Sequence, residues 1–154
     1  MSDVSLREPF RVIGLQVRTS NEEEAKEGRI GALWQRFYAE GVSARIPQPL
    51  RPGEVIAVYS GYASDETGPF DLLVGAAVPA GTPAPAGLTA QDVPGGRYLA
   101  ILSPRGPIPG SVIDAWKQAW SQKSRRAFAS DYEVYDQRAR DMQSAQIELF
   151  VSVK

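Results

Sequence analysis

The sequence contains no cysteine and no histidine. Disulfide bonds, thiol nucleophiles, zinc sites with the usual sulfur and nitrogen ligands, and histidine-based catalytic triads are therefore excluded. No apolar run approaches the roughly 20 residues that a membrane helix needs, and residues 1–8 lack the apolar core of a signal peptide. We expect a cytoplasmic protein that has no membrane partner, no metal site and no cofactor.

Neither sign of charge is in excess, because 17 basic residues stand against 18 acidic ones and the net charge is −1. With a pI near 5.5, the chain is not expected to bind nucleic acid directly. Its 154 residues, of which 43% are hydrophobic and 23% charged, suffice for one globular domain with a sizeable core.

The N-terminal half begins with the pattern of a strand followed by a helix. An apolar stretch within Phe10–Arg18 predicts the strand. Thr19, Ser20 or Asn21 can then cap a helix whose first turn holds three glutamates, where the helix dipole favours anions. The helix continues as an apolar stripe with helical spacing, formed by Ile30, Leu33, Trp34, Phe37 and Tyr38.

A hairpin and a long linker follow this helix. Val55–Tyr62 and Phe70–Val78 predict the two strands of the hairpin, with a turn at Asp65–Gly68 between them. Pro79–Gly96 is rich in proline, alanine and glycine, which predicts an extended linker that does not pack as an element. Residues 1–9 are expected to be a loose lead-in.

The same order of elements returns after the linker. Arg97–Ser103 predicts a strand, and the spacing of Ser111 to Asp114 predicts a helix that begins with a capping box. Phe128–Asp136 and Ala145–Val153 predict the last two strands. The second helix has its own apolar stripe, formed by Val112, Ile113, Trp116, Ala119 and Trp120.

These elements predict a duplicated module inside a single α+β domain that spans residues 1–154. Repeat 1 covers about residues 10–78, the proline-rich linker 79–96, and repeat 2 about residues 97–154. We expect each hairpin to pair with the first strand of its own repeat and the two small sheets to join edge to edge, since this covers exposed strand edges. The two main helices would then lie on one side of a curved antiparallel sheet, with a central cleft for a small molecule.

The predicted strand near the C-terminus has two chemically different faces. Its sequence is Asp-Tyr-Glu-Val-Tyr-Asp, so Tyr132 and Val134 point one way while Asp131, Glu133 and Tyr135 point the other. A carboxylate among apolar strands is costly to bury without a partner. We therefore interpret Glu133 as a group kept for a cation. A solvated position, or an ion pair with one of three arginines, is the alternative: Arg11, Arg97 or Arg126.

The duplicated order, the helix Ile30–Phe37 and this glutamate strand resemble the GyrI-like small-molecule-binding domains. Such domains also occur as effector-binding domains of bacterial AraC-type and MerR-type transcription regulators, including multidrug-binding ones. The resemblance covers about residues 10–154. It implies an aromatic cleft in which a buried glutamate meets cationic, lipophilic ligands, and it assigns that role to Glu133, with Trp34 and Tyr135 beside it.

Three more ligand-binding residues are proposed from alternation and spacing rather than from the resemblance. Tyr59 holds the position in repeat 1 that Tyr135 holds in repeat 2, so the two could flank the cleft symmetrically or simply pack across strands. Phe150 and Tyr38 complete the proposed set. The other helical aromatics, Trp116 among them, are expected in the core.

The resemblance leaves the biological output open. The predicted strands from Phe10 to Lys154 leave no room for a helix-turn-helix, so control of transcription would need a separate DNA-binding partner, and the chain could be a monomer or a homodimer.

Binding of small lipophilic cations is the main hypothesis. The alternative is a GyrI-like hydrolase of strained or toxic small molecules, with Glu133 as general base and Tyr135 or Tyr59 at the leaving oxygen. The spacing of Asp131 and Glu133 also approaches that of paired carboxylates in inverting glycosidases, without other support.

Overall fold

The computed structural model describes residues 3–64 and 68–154. Its strands are β1 Asp3–Arg7, β2 Phe10–Thr19, β3 Val55–Ser60, β4 Phe70–Val78, β5 Thr89–Val93, β6 Gly96–Leu102, β7 Arg126–Tyr135 and β8 Glu148–Val153. Its helices are α1 Asn21–Glu27, α2 Arg29–Ala39, α3 Val42–Arg45 and α4 Gly110–Ser121, with short 3-10 turns at Lys123–Arg125 and Gln137–Ala139. Within the described ranges, no helix is long and apolar enough to cross a membrane.

The eight strands form one open antiparallel sheet in the order β1-β6-β8-β7-β3-β4-β2-β5. Each hairpin pairs with the first strand of its own repeat, β3–β4 with β2 and β7–β8 with β6. The two halves join where β3 pairs with β7. The predicted α+β class and the edge-to-edge assembly of two repeats are confirmed.

The junction of the two halves places Glu133 at the centre of the sheet. On the β3–β7 pair, Glu133 lies directly opposite Ala57. When Val58 and Tyr59 of β3 are aligned with the Val-Tyr pair that ends β7, Ala57 and Glu133 are also equivalent positions. Glu133 therefore lies close to the pseudo-twofold axis that relates the two repeats.

The two outermost strands were not predicted. β1 pairs with β6, with Val4 opposite Leu99, and β5 pairs with β2, with Gln91 opposite Val12. The loose lead-in is wrong for residues 3–7, and the unpacked linker is wrong for residues 89–93. Both strands have few apolar residues because one edge of each stays unpaired, so the usual apolar signal is weak. Residues 1–2 of the lead-in, and 65–67 of the predicted turn, lie outside the described residues.

The helix ends agree with the sequence at α1 and differ at α4. Ser20 caps α1, since its hydroxyl accepts a hydrogen bond from the backbone nitrogen of Glu23 at 3.1 Å. Gly28, at φ 63°, separates α1 from α2 because that left-handed conformation suits glycine. The capping box at the second helix is wrong: Pro109 precedes α4, and Ser111 is buried inside its first turn.

The sheet buries apolar side chains on both faces. On one face, α2 and α4 pack through residues such as Leu33, Phe37 and Ala115. On the other face, Tyr132 packs with Phe150 and neighbouring strand residues. The predicted alternation along β7 follows from this arrangement, because each successive side chain of a strand enters the opposite cluster.

Candidate functional site

The carboxylate of Glu133 is buried, with 1% of the residue exposed, on the face that the helices cover. The hydroxyl of Tyr135 donates to its Oε1 at 2.8 Å. The indole Nε1 of Trp116 and the hydroxyl of Tyr59 donate to its Oε2 at 2.5 and 3.2 Å. In the part of the chain that the structure describes, these neutral groups are its hydrogen-bond partners and no cation pairs with it.

Burial dominates the electrostatics of this cluster. Desolvation raises the pKa of Glu133 above its ordinary value, and the hydrogen bonds from Trp116, Tyr135 and Tyr59 only partly offset that rise. The pKa values of Tyr59 and Tyr135 are raised well above the ordinary tyrosine value, first by burial and then by the charge of Glu133. Both hydroxyls therefore remain protonated donors near neutral pH.

Two tryptophans enclose the tyrosines in a nearly symmetric arrangement. The ring of Trp116 from α4 meets Tyr59 edge to face at 5.0 Å, and the ring of Trp34 from α2 meets Tyr135 at 4.9 Å. Each helix thus packs its tryptophan on the tyrosine of the other repeat. The symmetry fails at the glutamate, since only the Trp116 indole bonds Glu133 among the described contacts.

A cavity of about 170 Å³ opens beside Tyr59 and Trp116. Its wall is mostly aromatic and is completed by Asn21, Ile30, Ile113 and Arg126. The aromatic side chains of the wall are Tyr59, Tyr62, Phe70, Trp116 and Trp120. Glu133 does not line the cavity itself, but two of its three donors do, so a ligand in the cavity contacts the groups that hold the carboxylate.

The structure brings four of the six proposed ligand residues to one place. Tyr59 lines the cavity, Glu133 and Tyr135 lie behind it, and Trp34 packs on Tyr135. Tyr38 lies one layer farther out, stacked on Trp34 at 6.2 Å and 64% exposed. Tyr38 therefore lies at the exposed rim of the cluster.

The placement of Phe150 beside the glutamate is wrong. Phe150 pairs with Tyr132 on the β7–β8 ladder and stacks on it at 4.9 Å, while Glu133 pairs with Leu149. Because neighbouring residues of a strand point to opposite faces, Phe150 faces away from the helices. It lines a separate groove of about 550 Å³, where Arg7 lies 4.5 Å from its ring centre.

Trp116 is the main site residue that sequence reasoning missed, because a tryptophan at helical spacing is usually core. A signal was present: Trp116 holds the place in repeat 2 that Trp34 holds in repeat 1. Tyr62 and Phe70 were also missed. Tyr62 lies just after β3, where strand alternation gives no direction, and Phe70 is the first residue of β4.

The arginine alternatives for Glu133 are wrong, since each of the three arginines has another partner. Arg126 pairs with Asp131 at 2.6 Å and Arg11 with Asp92 at 2.8 Å, while Arg97 donates to a backbone carbonyl. Asp131 is held in the ion pair with Arg126, so it is unsuited to act as the second carboxylate of a glycosidase pair. No group of acidic residues in the described ranges has the arrangement of a metal site.

The fold is shared with a known family. Over residues 5–153 the sequence matches the Cass2 family, described as integron-associated effector binding protein. The chain belongs to this family. The predicted resemblance to GyrI-like effector-binding domains is thereby confirmed, and binding of small molecules is the class of function that this membership gives.

Individual relatives support the same assignment. A Bacillus subtilis (strain 168) protein named YobU, described as a candidate transcriptional regulator, is 35% identical over 147 residues, which cover 94% of this chain and 92% of the relative. An integron cassette protein from the mobile metagenome of Vibrio cholerae has 26% identity and a TM-score of 0.78, covering 99% of this chain and 95% of its own. The structure of SAV2435 bound to tetraphenylphosphonium has a TM-score of 0.80 at 15% identity, covering 100% and 94%. At that identity the last comparison shows the fold alone.

Proposed function

We propose that this protein binds lipophilic organic cations in the cavity beside Tyr59 and Trp116. The observation that carries the proposal is the state of Glu133: a buried carboxylate that neutral donors hold and that no described cation neutralises. A buried carboxylate without a counter-charge is costly, and a positively charged ligand relieves that cost. A neutral ligand of the same shape leaves the cost in place.

The aromatic wall supports the same ligand class. A cation within about 6 Å of an aromatic ring centre is attracted to the ring face, by about 2 kcal/mol or more where water is excluded. Tyr59 and Trp116 present rings to the cavity and bond Glu133 from the other side. A cationic ligand in the cavity therefore contacts these two rings directly, while the carboxylate of Glu133 attracts it from behind them.

The cavity volume sets a condition on large ligands. About 170 Å³ is smaller than the roughly 300–1,000 Å³ of typical ligand pockets. Trp120 and Ile113 of α4 line the cavity and are partly exposed to solvent, so they can move without disrupting the core. We infer that a ligand as large as tetraphenylphosphonium, which SAV2435 binds by its description, enters by shifting these α4 side chains.

The relation to a candidate transcriptional regulator bears on the biological output. Under the proposal, ligand occupancy shifts the exposed side chains of α4, and a separate DNA-binding partner chain detects that change. The hydrolase alternative stays an untested prediction.

Isothermal titration with tetraphenylphosphonium tests the proposal. Glu133→Gln removes the charge, and its amide can still accept hydrogen bonds from Trp116 and Tyr59 and donate one to Tyr135. We expect the variant to bind at least about tenfold more weakly, roughly 1.4 kcal/mol. The matched control is Glu40→Gln, which removes one negative charge from the exposed end of α2 and should leave affinity unchanged. Equal affinities for wild type and Glu133→Gln would remove Glu133 from the site.

A further inference from the structure

The wall of the cavity includes a buried charged group, Arg126, which the proposed function does not use. Arg126 begins β7 and lines the cavity, yet only 2% of it is exposed. The β7–β8 register shifts between Arg126 and Asp131, and inside this irregularity Phe128 has a φ of 53°. That conformation is uncommon for a bulky residue and is retained where surrounding contacts enforce it. Here the left-handed conformation of Phe128 turns the start of β7, so that Arg126 forms an ion pair with Asp131.

Asp131 has all the donors it needs. Its carboxylate accepts hydrogen bonds from Arg126 Nη2 at 2.6 Å, from the Tyr62 hydroxyl at 2.5 Å and from the Ser152 backbone nitrogen at 2.9 Å. The ion pair neutralises the charge of the guanidinium. A further anion at this point would therefore leave a net buried negative charge.

Arg126, in contrast, has donors to spare. The guanidinium carries five N–H groups, and its Nε is buried without an acceptor on any described residue. Its central carbon lies 4.3 Å from the Phe128 ring centre and 5.7 Å from that of Trp116. Contacts with ring faces do not satisfy N–H groups that lie in the guanidinium plane. A buried donor left without an acceptor costs about 1–3 kcal/mol.

Trp116 separates the two charged groups of the site. Its indole nitrogen bonds Glu133, and its ring lies beside the guanidinium of Arg126. A ligand that occupies the cavity beside Trp116 thus has a carboxylate behind one part of the wall and Arg126, whose Nε lacks an acceptor, at another.

We propose that the guanidinium of Arg126 is a second recognition point of this cavity, which donates a hydrogen bond to an uncharged acceptor oxygen of the ligand. The preferred ligand class is then a lipophilic cation that carries a carbonyl or amide oxygen away from its cationic centre. A neutral oxygen suffices because Asp131 already balances the charge of Arg126. The inference rests on the proposed function and adds to it a second, independent selection.

The test compares two phosphonium ions that differ in one group: (4-acetylphenyl)triphenylphosphonium and (4-isopropylphenyl)triphenylphosphonium, with tetraphenylphosphonium as reference. The acetyl and isopropyl groups have similar shapes, but only the acetyl group has an acceptor oxygen. The isopropyl compound is the more lipophilic, so a plain aromatic pocket prefers it. We expect wild type to bind the acetyl compound at least about fivefold more tightly, as one satisfied buried donor implies.

A double variant, Arg126→Met with Asp131→Asn, replaces the buried ion pair by uncharged side chains, an exchange that folded proteins often tolerate. It should prefer the isopropyl compound, and the readout is the ratio of the two affinities, which a general change of affinity in the variant leaves unaffected. On wild type, the Nε–H resonance of Arg126 should lie farther downfield in the acetyl complex than in the isopropyl complex, since only the acetyl oxygen can accept its hydrogen bond, and this measurement does not depend on the variant folding.

The outcomes separate the two proposals. If tetraphenylphosphonium and both derivatives fail to bind wild type, the proposed function fails and this inference fails with it. If all three bind and wild type prefers the isopropyl compound, the proposed function stands and Arg126 is not a recognition point. An acetyl preference that survives in the double variant, or an Nε–H resonance that is the same in the two complexes, also overturns the assignment to Arg126.

Discussion

The indole nitrogen of Trp116 lies 2.5 Å from Oε2 of Glu133, although one residue belongs to α4 and the other to the central strand β7. Trp34, its counterpart on α2, approaches the same cluster only through the ring of Tyr135. The two repeats therefore contribute unequally to the glutamate. The cavity lies next to Trp116, the tryptophan that donates a hydrogen bond to Glu133.

Trp116→Phe should raise the pKa of Glu133 above its value in the wild type. The indole N–H stabilises the charged carboxylate, and phenylalanine has no donor to replace it. Desolvation, which already raises this pKa, would then be opposed by the two tyrosines alone. Carbon-13 NMR of the glutamate side-chain carboxyl groups, followed as a function of pH, measures the change.

The matched control for this experiment is Trp34→Phe, which removes an indole that does not bond Glu133 among the described contacts. The pKa of Glu133 should stay at the wild-type value in that variant. Equal shifts in both variants would mean that ring packing, and not the hydrogen bond from Trp116, sets the pKa.

Glu133→Gln should stabilise the ligand-free protein at neutral and alkaline pH. The folded-state pKa of Glu133 is raised, so the folded protein holds the proton more tightly than the unfolded chain does. Stability is therefore lost as pH rises from the unfolded pKa through the folded one. The variant lacks this loss, and its melting temperature should exceed that of the wild type by a few degrees at pH 8.

At pH 4 the difference should become smaller, because the carboxyl is then protonated in the folded state and mostly protonated in the unfolded one. Thermal unfolding followed by circular dichroism at the two pH values provides the comparison. A wild type that is more stable than Glu133→Gln at pH 8 would contradict the view that this carboxylate is held at a cost to the fold.

Asp131→Asn should destabilise the protein by about 3–5 kcal/mol, because it leaves Arg126 buried without its counter-charge. The exposed pair of Arg11 with Asp92 provides the control: Asp92→Asn should cost less than about 1 kcal/mol. Urea unfolding of both variants decides. Similar small losses would show that the ion pair at the start of β7 is not structurally important.

The repeated order of elements could be read from the sequence because each main strand and helix has its own apolar period. The edge strands could not be read in this way. In β5 only Val93 is fully buried, and Thr89–Asp92 pair with β2 through their backbone. A strand whose stability comes from the edge it covers has little apolar signal of its own.

The residues of the candidate site also fall into those that the sequence could predict and those that it could not. Alternation predicted that Glu133 and Tyr135 share a face, and the repeat predicted that Tyr59 and Tyr135 hold equivalent positions. Phe150 was misplaced because strand alternation gives relative direction only within one strand, and the β7–β8 register that sets it across strands is not visible in sequence. The hydrogen bond from Trp116 to Glu133 depends on how α4 packs on the sheet. Tertiary contacts set that position, and the local sequence pattern does not reveal it.

Binding of a permanent cation should release protons, and this linkage tests the central claim. The raised pKa of Glu133 in the free protein should fall when a positive charge is bound nearby. Affinity for tetraphenylphosphonium should therefore rise with pH through the free-protein pKa and level off above it. Glu133→Gln should bind weakly and without this pH dependence.

The most direct measurement is calorimetry of tetraphenylphosphonium binding at one pH near the free-protein pKa, in two buffers of different ionisation enthalpy. The account predicts apparent binding enthalpies that differ between the buffers for wild type, in proportion to the protons released, and that agree for Glu133→Gln. Identical enthalpies for wild type in both buffers, together with an affinity that stays flat as the pH rises from the ordinary glutamate pKa of 4.5 to neutral, would contradict the account. Glu133 would then not be a desolvated receptor for cations.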